Sequence, residues 1–120
     1  MKNDNLIHVK SKKFAIRIIN TFKYLQTEKK EFVLSKQMLR SGTAIGALIK
    51  ESEFAQSRKD FLNKLYIALK EANETQYWIE LLFETEYITK MEFDSLSTAC
   101  LEILKLLVAI TKKLKESLGN

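Results

Sequence analysis

The chain contains no proline and only three glycines in 120 residues. Proline is the strongest breaker of helices, and turn-rich all-β proteins use both residue types at their tight turns. A chain this poor in both is expected to be built from long helices. Its length fits a single domain with one hydrophobic core, spanning residues 1–120.

Apolar residues recur at three- and four-residue steps in four segments, which places them on one face of a helix in each. The first pattern includes Phe14 and Ile18, and the last includes Ile103 and Leu107. Polar stretches such as TEKKE at residues 27–31 separate the patterns. Helices are therefore predicted over residues 11–27, 36–54, 58–86 and 90–118.

Start signals support three of these helices. Ser35 is a suitable N-cap for the second helix, Ser57 with Asp60 resembles a capping box, and Thr89 with Glu92 forms a complete one. The three connections are short, which favours antiparallel neighbours. The predicted fold is all-α, an up-down-up-down antiparallel four-helix bundle.

Gly42 and Gly46 lie four residues apart in SGTAIGALIKE, residues 41–51. A phosphate-binding loop would need a preceding strand and a Lys-Ser or Lys-Thr pair after its second glycine, and both are missing. In mid-helix each glycine costs about 1 kcal/mol relative to alanine, so a packing role is expected to offset that cost. With Ser41 and Ala44, the glycines form a helix surface of little bulk. The neighbour expected to pack there is an aromatic-rich helix, with four candidate side chains: Phe22, Tyr66, Trp78 and Phe83.

The net charge of +5 is concentrated near the N-terminus, where residues 1–30 carry eight Lys and Arg against two Asp and Glu. On a helix most of these cations form a stripe, and a stripe can follow a phosphate backbone. A solvated face is the alternative, because no named nucleic-acid motif is present. The candidate nucleic-acid-binding residues are Lys10, Lys12, Lys13, Arg17, Lys23, Lys29 and Lys30.

No residue pattern is typical of catalysis or of a metal site, so no enzyme activity, cofactor or metal is expected. His8 lacks partners at defined spacing and is expected to be exposed or partly packed, while Cys100 falls on an apolar stripe and is expected in the core. Bundles can hold metals between carboxylates and histidines, but the predicted helices carry no histidine. The acids are instead expected to pair with an arginine or with Lys residues at the edge of the bundle, and so to fix how the second and third helices meet. The members of this interhelical polar network are Arg40, Glu51, Glu71 and Glu74.

No feature predicts a membrane-spanning or secreted protein. The longest run without a charge is residues 41–49, about half of what a membrane span requires. The first residues lack the apolar stretch and cleavage site of a secretory signal. A lone cysteine agrees with a reducing compartment, and a cytoplasmic location is expected.

Part of the chain resembles a known family. The resemblance lies in LSKQMLRSGTAIGALIKE (34–51) and AQSRKDFLNKLYIALKEANETQYWIELL (55–82), with a moderate match at FAIRIIN (14–20). These segments are similar to the bacterial four-helix-bundle proteins first noted in intervening sequences of 23S rRNA genes. Many members have Asn at the position of Leu48 and Ala at that of Lys50, so this chain departs from the pattern there.

The resemblance implies a four-helix bundle that assembles into a ring-like homopentamer without known catalytic activity. Relatives include the accessory variability protein of diversity-generating retroelements, a basic pentameric barrel that works with a reverse transcriptase and its RNA. Carried over by position, the family-typical residues are interpreted as architectural: Arg40, Ser41, Gly42, Glu71, Glu74, Tyr77 and Trp78.

Two functions remain open from the sequence. The leading hypothesis is a non-enzymatic, oligomeric bundle whose basic N-terminal helix face binds RNA or DNA. The alternative is a protein-interaction adaptor or scaffold that does not bind nucleic acid and grips a protein partner through aromatic side chains. The aromatic residues expected to be exposed for this purpose are Tyr66, Tyr77, Tyr87 and Phe93.

Overall fold

Four helices follow one another along the chain and pack side by side. The computed structural model describes residues 2–119, with side chains from residue 5 onward. The helices are α1 (Lys2–Thr27), α2 (Leu34–Ser52), α3 (Arg58–Glu84) and α4 (Lys90–Gly119). Each helix packs against the next, and α1 also packs against α4, in a body with extents of 50 × 22 × 20 Å. The predicted all-α four-helix bundle is confirmed.

The first helix is longer than predicted, because it begins at Lys2 rather than near Ser11. Ile7 is buried and continues the inward stripe formed by Ser11, Phe14 and Ile18. Ser11 interrupts the apolar pattern of the sequence, yet its small side chain is buried and donates a hydrogen bond to the carbonyl of His8 at 3.2 Å. The other three predicted ranges agree with the observed helices within two residues at each end.

Two of the three predicted helix starts have the expected hydrogen bonds. The backbone N–H of Asp60 donates to Ser57 Oγ at 3.0 Å. At α4, the N–H of Glu92 donates to Thr89 Oγ1 at 3.2 Å, and the N–H of Thr89 donates to Glu92 Oε1 at 2.8 Å. The predicted cap at Ser35 was wrong, because this residue already lies inside α2. The carboxylate of Glu31, in the preceding turn, caps the helix instead.

The core lies along the axis of the bundle and receives side chains from every helix. Its fully buried members include Ile18, Ile45, Ile79 and Leu107. Two buried polar pairs cross helix interfaces: Thr75 Oγ1 lies 2.8 Å from Ser41 Oγ, and Gln76 Nε2 donates to Ser97 Oγ at 2.8 Å. Because a buried polar group is costly without a partner, these pairs help to fix the register of α3 against α2 and α4.

The glycines of α2 face α1. A Cβ atom added at Gly42 would lie 3.0 Å from both Cγ1 and Cγ2 of Ile18, and one added at Gly46 would lie 3.6 Å from the carbonyl oxygen and Oγ of Ser11. Gly42 therefore allows a close approach between two helices. The neighbouring helix carries Phe22, one of the four candidates, but the side chain nearest to Gly42 is an isoleucine, so the predicted aromatic contact was wrong. Ser41 faces α3 instead, and Ala44 is half-buried.

Candidate nucleic-acid interface

A row of lysines extends along α1 and into the turn that follows it. Lys12 and Lys23 are three turns apart on one side of the helix, while Lys13 lines a surface cavity toward α4. From residue 12 to the end of α1 the helix rises by about 22 Å, the length of roughly six phosphates along one strand. Five side chains, the lysine row, are exposed and form no ion pair with any residue that the structure describes: Lys12, Lys13, Lys23, Lys29 and Lys30.

Lys10 and Arg17, the other two predicted contacts, are engaged with α4. The Lys10 ammonium forms an ion pair with Glu102. Arg17 donates from Nη2 to Ser95 Oγ at 2.8 Å and from Nη1 to the Ser95 carbonyl at 3.4 Å. These contacts cross the smallest of the helix–helix interfaces in the described bundle, beside a surface cavity of about 200 Å³. Both cations therefore hold α1 against α4. A polyanion that bound them would have to compete with Glu102 and Ser95.

A buried carboxylate holds the turn between α1 and α2. Glu31 is 7% exposed, and its carboxylate oxygens accept hydrogen bonds from the backbone N–H groups of Val33 at 3.1 Å, Leu34 at 2.9 Å and Ser35 at 2.7 Å. Ser35 Oγ in turn donates to the Glu31 carbonyl at 2.8 Å. The N–H of Glu31 donates to the carbonyl of Leu25 at 3.0 Å. Both ends of the turn are thereby tied to the adjoining helices.

The electrostatics of Glu31 follow from these contacts. Burial acts to raise its pKa, but the hydrogen bonds from Leu34, Ser35 and Val33 outweigh burial and hold the pKa below its ordinary value. Lys30, just before it, adopts a positive φ of 54°, which lets the chain reverse direction. The carboxylate is thus ionised at neutral pH and fixes the path of residues 31–35.

Two exposed aromatic side chains were not among those expected from the sequence. Phe54 is 86% exposed and Phe32 is 48% exposed, and each lies in a connection between helices. Among the four residues predicted to be exposed for a protein partner, Tyr77 is exposed at 54%, while the other three are half-buried. One of these three, Phe93, stacks on Phe83 with ring centroids 4.6 Å apart. Helical periodicity carries no signal for side chains in connections, so the sequence analysis missed Phe32 and Phe54.

The predicted polar network bridges α2 and α3. Arg40 Nη1 lies 3.3 Å from each carboxylate oxygen of Glu71, and Nη2 pairs with Glu74. Trp78 Nε1 donates to Glu74 Oε2 at 2.9 Å. The hydrogen bond from Arg40, with a second from Trp78, lowers the pKa of Glu74. The carboxylates are thus engaged by a cation and an indole, an arrangement that sets how the two helices meet.

Three other candidate residues also make structural contacts. Glu51, the fourth predicted member of the network, pairs with a lysine, one of the two predicted kinds of partner: its Oε1 lies 3.5 Å from Lys64 Nζ. His8 is half-buried, with Nε2 3.5 Å from Glu53 Oε1. Cys100 is fully buried, and burial raises its pKa to about 12. Among residues 5–119, no group of three or more His, Cys, Asp or Glu is arranged to hold a metal ion.

A second basic stretch lies near the end of α4, at the opposite end of the bundle from the α1–α2 turn. Its exposed lysines are Lys112, Lys113 and Lys115, and Lys105 lies two turns earlier. The run TKKLK at residues 111–115 was the signal for it in the sequence, but the near balance of charges in residues 89–120 obscured it. Within the described chain, no helix is both long and apolar enough to cross a membrane.

Comparison with known proteins gives one family. The family model described as 23S rRNA-intervening sequence protein matches residues 3–109. A solved crystal structure is also similar: a protein with unknown function from the S23 ribosomal protein family of Bacteroides thetaiotaomicron, 60% identical in sequence. The match covers 92% of this chain and 98% of that one, with a TM-score of 0.90. Among curated proteins, none matches the chain.

Proposed function

The chain belongs to the 23S rRNA-intervening sequence protein family, and from this premise we propose that it is a non-enzymatic, oligomeric bundle that binds nucleic acid through the lysine row. The observation that carries the proposal is a set of five exposed ammonium groups along α1 and its turn, which have no carboxylate partner in the part of the chain that the structure describes. A polyanion that binds such a surface releases its condensed counterions, which favours association. The excess positive charge of residues 1–30 supports the same surface.

The test is a titration of labelled RNA and DNA with the protein at several salt concentrations, followed by fluorescence anisotropy. The log of the binding constant is expected to fall linearly with the log of the salt concentration, by about 0.7 per single-strand phosphate and about 0.9 per duplex phosphate contacted. Replacing all five lysines of the row by glutamine should then reduce the slope by up to about 3.5 on a single strand. Absence of binding by the wild-type protein at low salt would overturn the proposal.

A matched variant separates position from total charge. It replaces five other exposed lysines that form no ion pair with described residues: Lys59, Lys70, Lys105, Lys112 and Lys115. Both variants have the same net charge, so non-specific attraction falls equally in the two. The proposal expects the row variant to lose most of the salt dependence and the control to keep it. Equal losses would mean that the row is not the binding surface.

Self-association is the second part of the proposal. The family resemblance implies a ring of five subunits, and α4 exposes apolar side chains that a partner subunit could cover. Leu101 is 43% exposed and Val108 is 51% exposed, seven residues apart on one side of α4. Light scattering should give a mass several times that of the 14.0 kDa chain, rising further with added RNA. A monomeric mass at working concentrations would refute this part.

A protein partner remains the second candidate function, and one observation favours it. Val9 and Ile16 are each 51% exposed on α1, among the lysines. An amphipathic face of this kind also fits a partner helix with acidic flanks. If this candidate is correct, one protein should co-purify in fixed ratio after nuclease treatment, and Val9→Ser with Ile16→Ser should release it. Loss of the partner on nuclease treatment would exclude a direct protein contact.

A further inference from the structure

The α1–α2 turn holds two apolar side chains out of the core. Phe32 is 48% exposed and Val33 is 70% exposed, whereas Glu31 before them and Ser35 after them are buried. Turns usually carry small or polar residues, so an exposed phenylalanine in a short turn is unusual. The direction of these side chains follows from the backbone, because the Glu31 carboxylate binds the N–H groups of residues 33–35.

The turn is also rigid for its length. It is tied to α1 by the hydrogen bond from the Glu31 N–H to the Leu25 carbonyl, and the N–H of Glu28 donates to the Tyr24 carbonyl at 2.8 Å. A ligand that packs on Phe32 would therefore order little additional backbone when it binds. A surface that is already ordered keeps more of its contact energy as affinity.

Exposed lysines lie on both sides of Phe32 in the sequence. Lys29, Lys30 and Lys36 all lie within four residues of Phe32, and none forms an ion pair with a described residue. The carboxylate of Glu31 is occupied by three backbone N–H groups, which reduces its repulsion of an incoming anion. Proteins that bind single-stranded nucleic acids combine an aromatic ring with nearby cations: a base stacks on the ring and the phosphates contact the cations.

We propose that the α1–α2 turn is a stacking site for an unpaired base of single-stranded nucleic acid, with Phe32 as the platform and Lys29 and Lys30 on the flanking phosphates. This inference rests on the proposed function and specifies its ligand as single-stranded. A base in a duplex is stacked on its neighbours and does not offer its face to the ring. The strand would continue from the turn along α1, where Lys23 and Lys12 lie.

The direction of the lysine row favours a strand over a membrane surface. The row runs along the long axis of the bundle, whereas the turn lies at one end of it. A bilayer that received Phe32 and Val33 end-on would leave the lysines of α1 outside the plane of contact. A flexible polyanion can contact both the end and the side of the bundle.

The experiment compares single-stranded and duplex RNA on the same set of variants. The probes are an RNA of about twelve nucleotides without self-complementarity, within the usual site size of such surfaces, and the same strand annealed to its complement. Phe32→Ala is expected to weaken binding to the single strand by roughly 5- to 150-fold, since a base–aromatic stack contributes about 1–3 kcal/mol. Its effect on the duplex should be less than about twofold, and the salt slope should not change, because no charge is altered.

Three further variants separate stacking from other effects. Phe32→Leu keeps an apolar side chain but loses the ring, and it should bind the single strand as weakly as Phe32→Ala. Phe32→Trp keeps an aromatic ring and should bind the single strand as tightly as the wild type does. Val33→Ala, the matched control, should bind as the wild type does. All four changes are at exposed positions, and unchanged circular dichroism and thermal midpoints would verify folding.

Each outcome decides between the proposals. Wild-type affinity in Phe32→Ala or Phe32→Leu would overturn the stacking site while the lysine row could still bind nucleic acid. Equal losses on single strand and duplex would also overturn it. Binding to anionic lipid vesicles that disappears in Phe32→Ala, with RNA binding intact, would assign the turn to membranes instead. No binding of the wild type to any nucleic acid would remove the proposed function together with this inference.

Discussion

Replacing Gly42 and Gly46 in turn by alanine measures how closely α1 approaches α2. Both glycines lie in mid-helix, so each change gains about 1 kcal/mol of helix propensity. The two sites differ in the space available for a methyl group. At Gly46 the new Cβ would lie 3.6 Å from Ser11, an ordinary contact. At Gly42 it would lie 3.0 Å from two carbon atoms of Ile18, which is too close for unstrained packing.

The magnitudes follow from this difference. Gly46→Ala is expected to stabilise the protein by about 0.5–1 kcal/mol. Gly42→Ala gains the same propensity but overpacks a core contact, which costs about 1–3 kcal/mol. Ile18 is fully buried, and its branched side chain has one strongly preferred rotamer in a helix, so it cannot move aside easily. Gly42→Ala should therefore lower the free energy of unfolding by about 1 kcal/mol relative to the wild type. Its free energy of unfolding should be about 2 kcal/mol lower than that of Gly46→Ala.

Urea unfolding followed by circular dichroism measures both effects, with all variants at one protein concentration because self-association would add to stability. With a slope of about 2 kcal/mol per molar urea, the two midpoints should differ by about 1 M. Ile18→Ala provides the internal control. It costs about 2–5 kcal/mol by itself, but in its background Gly42→Ala should become stabilising, since the two close carbon atoms are gone. Equal stabilisation by Gly42→Ala and Gly46→Ala in the wild-type background would refute the reasoning.

Two further predictions concern buried titratable groups. Glu31→Ala should destabilise the protein by about 1–3 kcal/mol at neutral pH, because three backbone N–H groups lose their acceptor, whereas Glu28→Ala at the exposed neighbouring acid should change little. The pKa of Glu31 is lowered in the folded protein, so its contribution is fully present above the unfolded pKa and is lost as the pH falls through the folded one. Urea midpoints of wild type and Glu31→Ala should therefore converge in acid, and a constant gap would contradict this. Burial raises the pKa of Cys100 to about 12, and its thiol donates to the Ala72 carbonyl at 3.3 Å. A thiol reagent at mildly alkaline pH should label it rapidly only in denaturant, and rapid labelling of the folded protein would show that α4 opens there.

Local signals in the chain were sufficient for most of the fold. The absence of proline and the helical spacing of apolar residues gave the four helices and the bundle. The caps at Ser57 and Thr89 were predicted correctly because each bond joins residues only three positions apart. The cap at Ser35 was predicted wrongly. The backbone N–H of this residue donates to the carboxylate of Glu31, four residues upstream, and no standard capping motif describes that spacing.

The candidate site was predicted only in part. The sequence indicated seven basic residues as candidates, but it could not separate the five lysines without partners among the described residues from Lys10 and Arg17, which contact α4. That separation depends on Glu102 and Ser95, which lie on α4, far away in the chain. The partner of a surface charge is set by the register between two helices. Apolar spacing within one helix carries no information about that register.

The sequence by itself determined the number of helices, their amphipathic faces and the basic character of the first thirty residues, because each of these is a property of neighbours along the chain. The tertiary structure decided the rest. It placed Ile18 rather than an aromatic ring against Gly42, left the lysine row without acidic partners among residues 5–119, and turned Phe32 outward. The physical reason is that packing and ion pairing act between surfaces that meet only after the helices have assembled.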